Sequence, residues 1–186
     1  LRHTLFPYTT LFRSLTIPAS VSVAEAPPGV HIAHVYPGSL AEKAGIKKGQ
    51  KLFFINGEII RDTVDFFFHG ADEELFMEME DEEGREFEVD IIKETPEDIL
   101  GLEVEQFTTQ HCGCNCVFCF VHQLPDHMRK SLYVQDEDYR LSFLNGAYIT
   151  GMNLKDSDLE RIAHQRLSPL YLSTHSLDEE KRRWLL

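Results

Sequence analysis

The stretch Cys112-Gly113-Cys114-Asn115-Cys116-Val117-Phe118-Cys119, CGCNCVFC, contains every cysteine of the 186-residue chain. Thiols crowded this closely point to a metal or redox site, because a disulfide framework spreads its cysteines along the fold it staples. They also point to a reducing compartment, and a cytoplasmic location is expected. Read as Cys112-x3-Cys116-x2-Cys119, the spacing lets one loop wrap three corners of a cubic iron–sulfur cluster. The fourth iron would then stay open to a substrate or cofactor. Three other readings stand beside this one. All four thiolates could close a structural zinc site, although such sites usually draw their ligands from two separate turns. Cys114 could close the fourth corner of a cluster and make an electron carrier. The thiols could also be reduced structural cysteines without a metal.

Outward from the loop, strands and helices alternate. Leu100 to Phe107 reads as a strand running straight into the cysteines, and Gln123 to Lys130 as an irregular segment or short helix. Leu141 to Ile149 reads as a strand interrupted at Asn145-Gly146, and Pro169 to Thr174 as another strand. Asp156 to Gln165 and Asp178 to Leu185 read as helices, the first with Leu159, Ile162 and Ala163 on one side. This alternation predicts a parallel sheet whose chemistry sits at the strand C-termini, where the cysteine loop and Ser173-Thr174-His175 fall. Gln135 to Arg140 is expected to be a solvated acidic loop or a lid over the site. His111 and His122 flank the loop and are not expected to be ligands.

Upstream, the pattern is a compact α+β module. Val30, Ile32 and Val35 suggest a strand, and Ser39 after Pro37-Gly38 is placed to cap a short helix through Leu40, Ala41 and Ala44. Lys51–Ile55, the Asn56-Gly57 turn and Glu58–Ile60 make a hairpin. Asp62 can cap a helix over Thr63–Phe68. Glu74–Glu80 and Arg85–Ile92 alternate apolar with acidic residues around the Asp81–Gly84 turn, so each should bury one face.

Two resemblances sharpen this reading. GVHIAHVYPGSLAEKAGIKKGQKLFFINGEII (29–60) resembles a PDZ domain of the bacterial protease type, which implies binding of an extended peptide at a sheet edge or a docking role. The spacing of Cys112, Cys116 and Cys119, with the aromatic Phe118 just before the third cysteine, resembles that of radical S-adenosylmethionine (SAM) enzymes. That resemblance implies a [4Fe-4S] cluster on these three cysteines, with SAM chelated to the open iron. One-electron reduction, by a donor such as flavodoxin or ferredoxin, then cleaves SAM to a 5′-deoxyadenosyl radical that abstracts hydrogen from a substrate. It also implies cofactor contacts from Phe118 and from Asn145, Gly146 and Ala147, taken as the glycine-rich end of a strand. CVFCFVHQLPDHMRKSLYVQDEDYRLSFLNGAYITGMNL and RLSPLYLSTHS are similar to one family of PDZ-bearing Fe–S oxidoreductases, related to the nitrogenase-cofactor and molybdopterin radical enzymes. These carry a C-terminal domain of unknown function. The chain departs from them at Cys114 and His122, where asparagine and aspartate are usual. The resemblance implies a reaction type and leaves the substrate unnamed.

The expected fold is therefore α/β with an α+β N-terminal module. A PDZ-like domain (27–94) and a linker (95–99) precede the first βα units of a (β/α) radical SAM barrel (100–186). Cys112 to Leu186 is far shorter than the roughly 200 or more residues of a complete barrel. A truncated chain, inactive or nearly so by itself, is accordingly expected. The alternative in another class is an Fe–S electron carrier or metal-binding adaptor recruited through its PDZ domain. Residues 4–14, TLFPYTTLFRS, match the translation of a common sequencing adapter, so 1–14 are expected to be a scar and 15–26 a disordered lead-in. The net charge of −13 disfavours a nucleic-acid or membrane-surface partner, and no apolar run is long enough to span a bilayer.

Overall fold

The structure, a computed structural model, describes residues 28–95 and 98–186. The expected scar and lead-in lie outside the described residues, as do Pro27, Pro96 and Glu97.

The N-terminal module follows its sequence pattern closely. Strand β1 (Val30–Val35) leads through a turn into α1 (Leu40–Lys43), whose first turn is capped by Ser39 Oγ accepting from Glu42 N at 3.2 Å. β2 (Lys51–Ile55) and β3 (Glu58–Ile59) form the expected hairpin. α2 (Thr63–His69) begins at Asp62, whose carboxylate accepts from Val64 N and Asp65 N. β4 (Glu74–Glu80) and β5 (Glu86–Ile92) bury Leu75, Met77, Met79, Val89 and Ile91 on one face, as their alternation requires. These side chains join Ile32, Leu52, Ile55 and Phe66 in a single apolar core.

The strand expected over Leu100–Phe107 forms as β6 (Leu102–Val104), and it does not open the parallel sheet. Instead it pairs antiparallel with β1, giving the order β5-β4-β2-β1-β6 with β3 beside β2. The cause is burial: Leu100, Leu102 and Val104 all enter the N-terminal core. Gly101 makes the approach possible. It has φ +73, and a Cβ there would overlap the Ser39 side chain that caps α1.

Beyond the cysteine loop, a 3₁₀ turn (Lys130–Tyr133) precedes α3 (Tyr139–Asn145), β7 (Tyr148–Ile149), α4 (Asp156–His164), β8 (Tyr171–Leu172) and α5 (Glu179–Leu185). The strand expected over Leu141–Ile149 is thus mostly helix. Asp138 caps α3 by accepting from Arg140 N, and Gly146 ends it in the left-handed region at φ 72. Between these caps Tyr139 and Ser142 repeat at helical, not strand, spacing, and both are buried. β7 and β8 are parallel, pairing Tyr148 with Tyr171 and Ile149 with Leu172. The fold is mixed α/β, with a mostly antiparallel sheet and this one short parallel pair among the described residues.

The two halves share their interior. Val64 of α2 packs with Tyr139, Ile149 and Leu167 in a second apolar cluster. Beside it lies a buried ion network. Arg161 reaches Asp62 at 2.6 Å and Asp65 at 2.7 Å, and Arg140 joins Asp62 (3.0 Å) to Asp138 (2.7 Å). Gln165 donates to Asp65 at 2.7 Å. Burial would raise the Asp62 carboxyl, but hydrogen bonds and charge from Arg161, then Arg140, hold it down at about 2. No helix among the described residues is long and apolar enough to cross a membrane.

Candidate metal centre

The cysteine loop has no regular structure of its own, and neighbouring segments determine its course. Residues 110–112 run antiparallel to 135–137: Cys112 N donates to Gln135 O at 2.7 Å and Glu137 N to Gln110 O at 3.0 Å, around the His111–Asp136 bridge. Asp138 Oδ2 accepts from Gln110 N, and Asn153 Nδ2 donates to His111 O. At the far side, Val117 N donates to Leu185 O of α5. Within the loop, Cys119 N donates to Cys116 O and Cys114 N to Cys112 Sγ, the latter at 3.4 Å.

All four cysteines line one cavity of about 400 Å³. Its other walls include Phe118, Gln135, Glu137, Ala147, Thr150, Ser173 and His175. Thr150 and Ser173 directly follow the parallel strands β7 and β8, so the cavity opens at the strand C-termini, as the alternation of elements predicts. The Phe118 ring lies 4.8 Å from that of His175, which holds a left-handed backbone (φ 59) uncommon for a non-glycine residue.

The expected site residues are distributed unevenly. Cys112, Cys116, Cys119, Phe118 and Ala147 line the cavity. Asn145 and Gly146 stand at the C-terminus of α3, not at the end of a strand. The glycine turn that does follow a strand is Thr150-Gly151-Met152, after β7, with Gly151 at φ 77. This turn is held by Glu137, a buried carboxylate that accepts from Thr150 N (2.8 Å), Thr150 Oγ1 (2.9 Å), Gly151 N (2.6 Å) and Met152 N (3.3 Å). Glu137 and Gln135 were legible only as members of an acidic loop. The sequence signal that finds them is Asp138: as the cap of α3, it places the three preceding residues in an extended approach against the cysteine loop. Arg182 of α5 was not foreseen either; it donates to the carbonyls of Thr150, Ser173 and Thr174, clasping both strand ends.

Burial pushes the Cys114 thiol up to about 11, with Cys112 adding to the effect, and Cys116 is raised by burial and by its neighbours Cys112 and Cys119. Cys114 and Cys116 thus resist ionising beside their neighbours, a conflict that a bound cation relieves. Among the described residues no group of three or more His, Cys, Asp or Glu side chains converges on a single metal ion. A four-iron cube does not need that convergence, because each cysteine binds a different iron at a different corner. The thiolates are also the soft donors that iron–sulfur clusters take, and the carboxylate of Glu137 in the same cavity is taken up by the turn after β7. The residues present therefore fit such a cluster.

Two family models match the chain. Residues 16–66 match the PDZ domain, and residues 93–186 match the Radical SAM-like domain. No curated protein matches the chain. With half of its length in that match, the chain belongs to the radical SAM-like family and carries a PDZ domain ahead of the radical SAM-like region.

Proposed function

We propose that the protein is a radical SAM iron–sulfur oxidoreductase in which Cys112, Cys116 and Cys119 hold a [4Fe-4S] cluster. The observation that carries this reading is the three-cysteine spacing on a cavity wall at the C-terminal ends of β7 and β8. When bound and reduced, the cluster supplies the electron that cleaves SAM to a 5′-deoxyadenosyl radical for hydrogen abstraction. The chain's own residues shape the space around it. Phe118 and Ala147 are apolar walls for the cofactor, and Phe118 packed on His175 restricts water entry beside the third cysteine. Asn145 and Gly146 act on the cofactor side indirectly, by turning the chain out of α3 towards Ala147. Glu137 and Arg182 hold the strand ends in place. The PDZ domain is a docking module for a protein or peptide partner.

Anaerobic reconstitution tests the reading. The chain should take up iron and sulfide in a ratio of about one, and SAM should perturb the electron paramagnetic resonance of the reduced cluster. The whole protein should release 5′-deoxyadenosine. Cys112→Ala, Cys116→Ala and Cys119→Ala should each abolish cluster uptake, whereas Cys114→Ala should keep both uptake and the SAM-induced spectral change. A loaded cluster that ignores SAM would overturn the enzyme reading.

One observation favours a second reading. Cys114 lines the same cavity, with its backbone N–H 3.4 Å from Cys112 Sγ, so it is within reach of a fourth corner. A closed cluster would make the protein an electron carrier or metal-binding adaptor recruited through the PDZ domain. Loss of the cluster in Cys114→Ala would favour it.

A further inference from the structure

Gln135 touches the cysteine loop at both ends. Its backbone carbonyl accepts from Cys112 N at 2.7 Å, as the loop begins. Its side-chain Nε2 lies 3.6 Å from Cys119 Sγ, where the loop closes, and 2.8 Å from His122 Nε2. An amide NH₂ carries two protons, so both contacts can be donated at once. Thiolate sulfur can only accept, which requires the nitrogen of this amide, not its oxygen, to face Cys119. His122 Nε2 then accepts, and its ring proton sits on Nδ1. His122 thereby fixes the amide in the orientation that serves the sulfur. Cys112 Sγ accepts from a backbone N–H, that of Cys114, whereas Cys119 Sγ accepts from this side-chain amide.

We infer that Gln135 is a positioning residue whose amide, oriented by His122, donates an N–H···S hydrogen bond to the Cys119 ligand and raises the reduction potential of the cluster. The inference rests on the cluster reading above. Its physical basis is the charge balance of the couple: reduction places more negative charge on the iron–sulfur core and its thiolates, and a donor aimed at one sulfur stabilises that form more. Groups around a metal centre that touch its ligands but not the metal tune it in this way. The backbone bond from Cys112 to Gln135 is independent of the side chain, so substitution leaves the loop's anchor in place.

The test is an equilibrium redox titration of the reconstituted chain, followed by electron paramagnetic resonance. Gln135→Leu keeps side-chain bulk and removes the donor. At fixed ambient potential it should lower the reduced-to-oxidised ratio about tenfold, equivalent to a fall of about 59 mV for a one-electron couple. Gln135→Glu, which replaces the donor with a negative acceptor, should lower it further. Unchanged potentials in both loaded variants would overturn the inference while leaving the cluster reading intact. Failure of the unsubstituted chain to load would overturn the cluster reading itself. Should either variant load poorly, the unsubstituted chain labelled with ¹⁵N in glutamine side chains decides the matter. A hyperfine coupling from an amide nitrogen to the reduced cluster is expected, and its absence would overturn the assignment.

Discussion

At the scale of single residues, Glu137 shows how a buried charge can organise a site without binding anything beyond the chain. One of its oxygens receives three backbone N–H groups and one hydroxyl from the turn after β7. Removing the carboxylate in Glu137→Ala would strand several of those donors, and should cost about 3 kcal/mol. Glu137→Gln can present its amide oxygen to the same donors and should cost only about 1 kcal/mol, the loss of charge assistance. Urea unfolding of the two variants measures the difference, and equal losses would refute the role assigned to the oxygen. Glutamate in a run such as QDEDYR reads from sequence as solvated, because acidic residues are rarely fully buried unless partnered. The partners of Glu137 lie 13 to 15 residues away in a turn whose position depends on β7.

At the scale of elements, the hairpin, the caps and the alternating strands of the N-terminal module were all readable, because each is set by contacts within a few residues. Ser39, Asn56-Gly57 and Asp62 do locally what their types do in general. The readings failed where local preference was ambiguous or overruled. Leu141–Ile149 contains enough aromatic and β-branched residues to pass for a strand, but the caps Asp138 and Gly146 delimit a helix. Gly146→Ala would force a side chain into the left-handed region at φ 72 and should cost about 1 kcal/mol. Thermal unfolding measures this. A neutral or stabilising effect would show that α3 does not depend on that terminus. β6 was correctly expected as a strand and assigned to the wrong sheet, since its apolar alternation fits any open edge next to a core.

At the scale of the whole molecule, the N-terminal module is bound to the cysteine-bearing half through buried charges as well as through Val64. Asp62 joins Arg140 and Arg161, and Arg140 in turn holds Asp138, which accepts from Gln110 N two residues before Cys112. The PDZ helix α2 is thus connected to the start of the cysteine loop by a chain of hydrogen bonds to buried charges. The Asp62 carboxyl is held at about 2, below its ordinary value near 4 in the unfolded chain. Its contribution to stability is therefore complete above about pH 4 and disappears as the pH falls through about 2, with a size of about 2 kcal/mol. Asp62→Asn should be less stable by about 3 kcal/mol at neutral pH, because Arg161 and Arg140 each lose one of two buried counter-charges, keeping only Asp65 and Asp138. The gap between the variant and the unsubstituted chain should narrow between about pH 4 and pH 2. Denaturant unfolding across that range checks this, and a constant gap would show that the Asp62 charge plays no part.

The amino-acid sequence by itself determined where the cysteines cluster, most secondary elements of the N-terminal module, and both domain families. These depend on spacing, caps and alternation, which act over a handful of residues. Only the tertiary structure decided that β6 closes the N-terminal sheet, that Asp62 meets Arg161 across 99 positions, and that Gln135 faces Cys119. The physical reason is common to all three. Burial and buried hydrogen bonding select a partner by its position in space, and many open edges, arginines and amides in the chain were locally equivalent candidates.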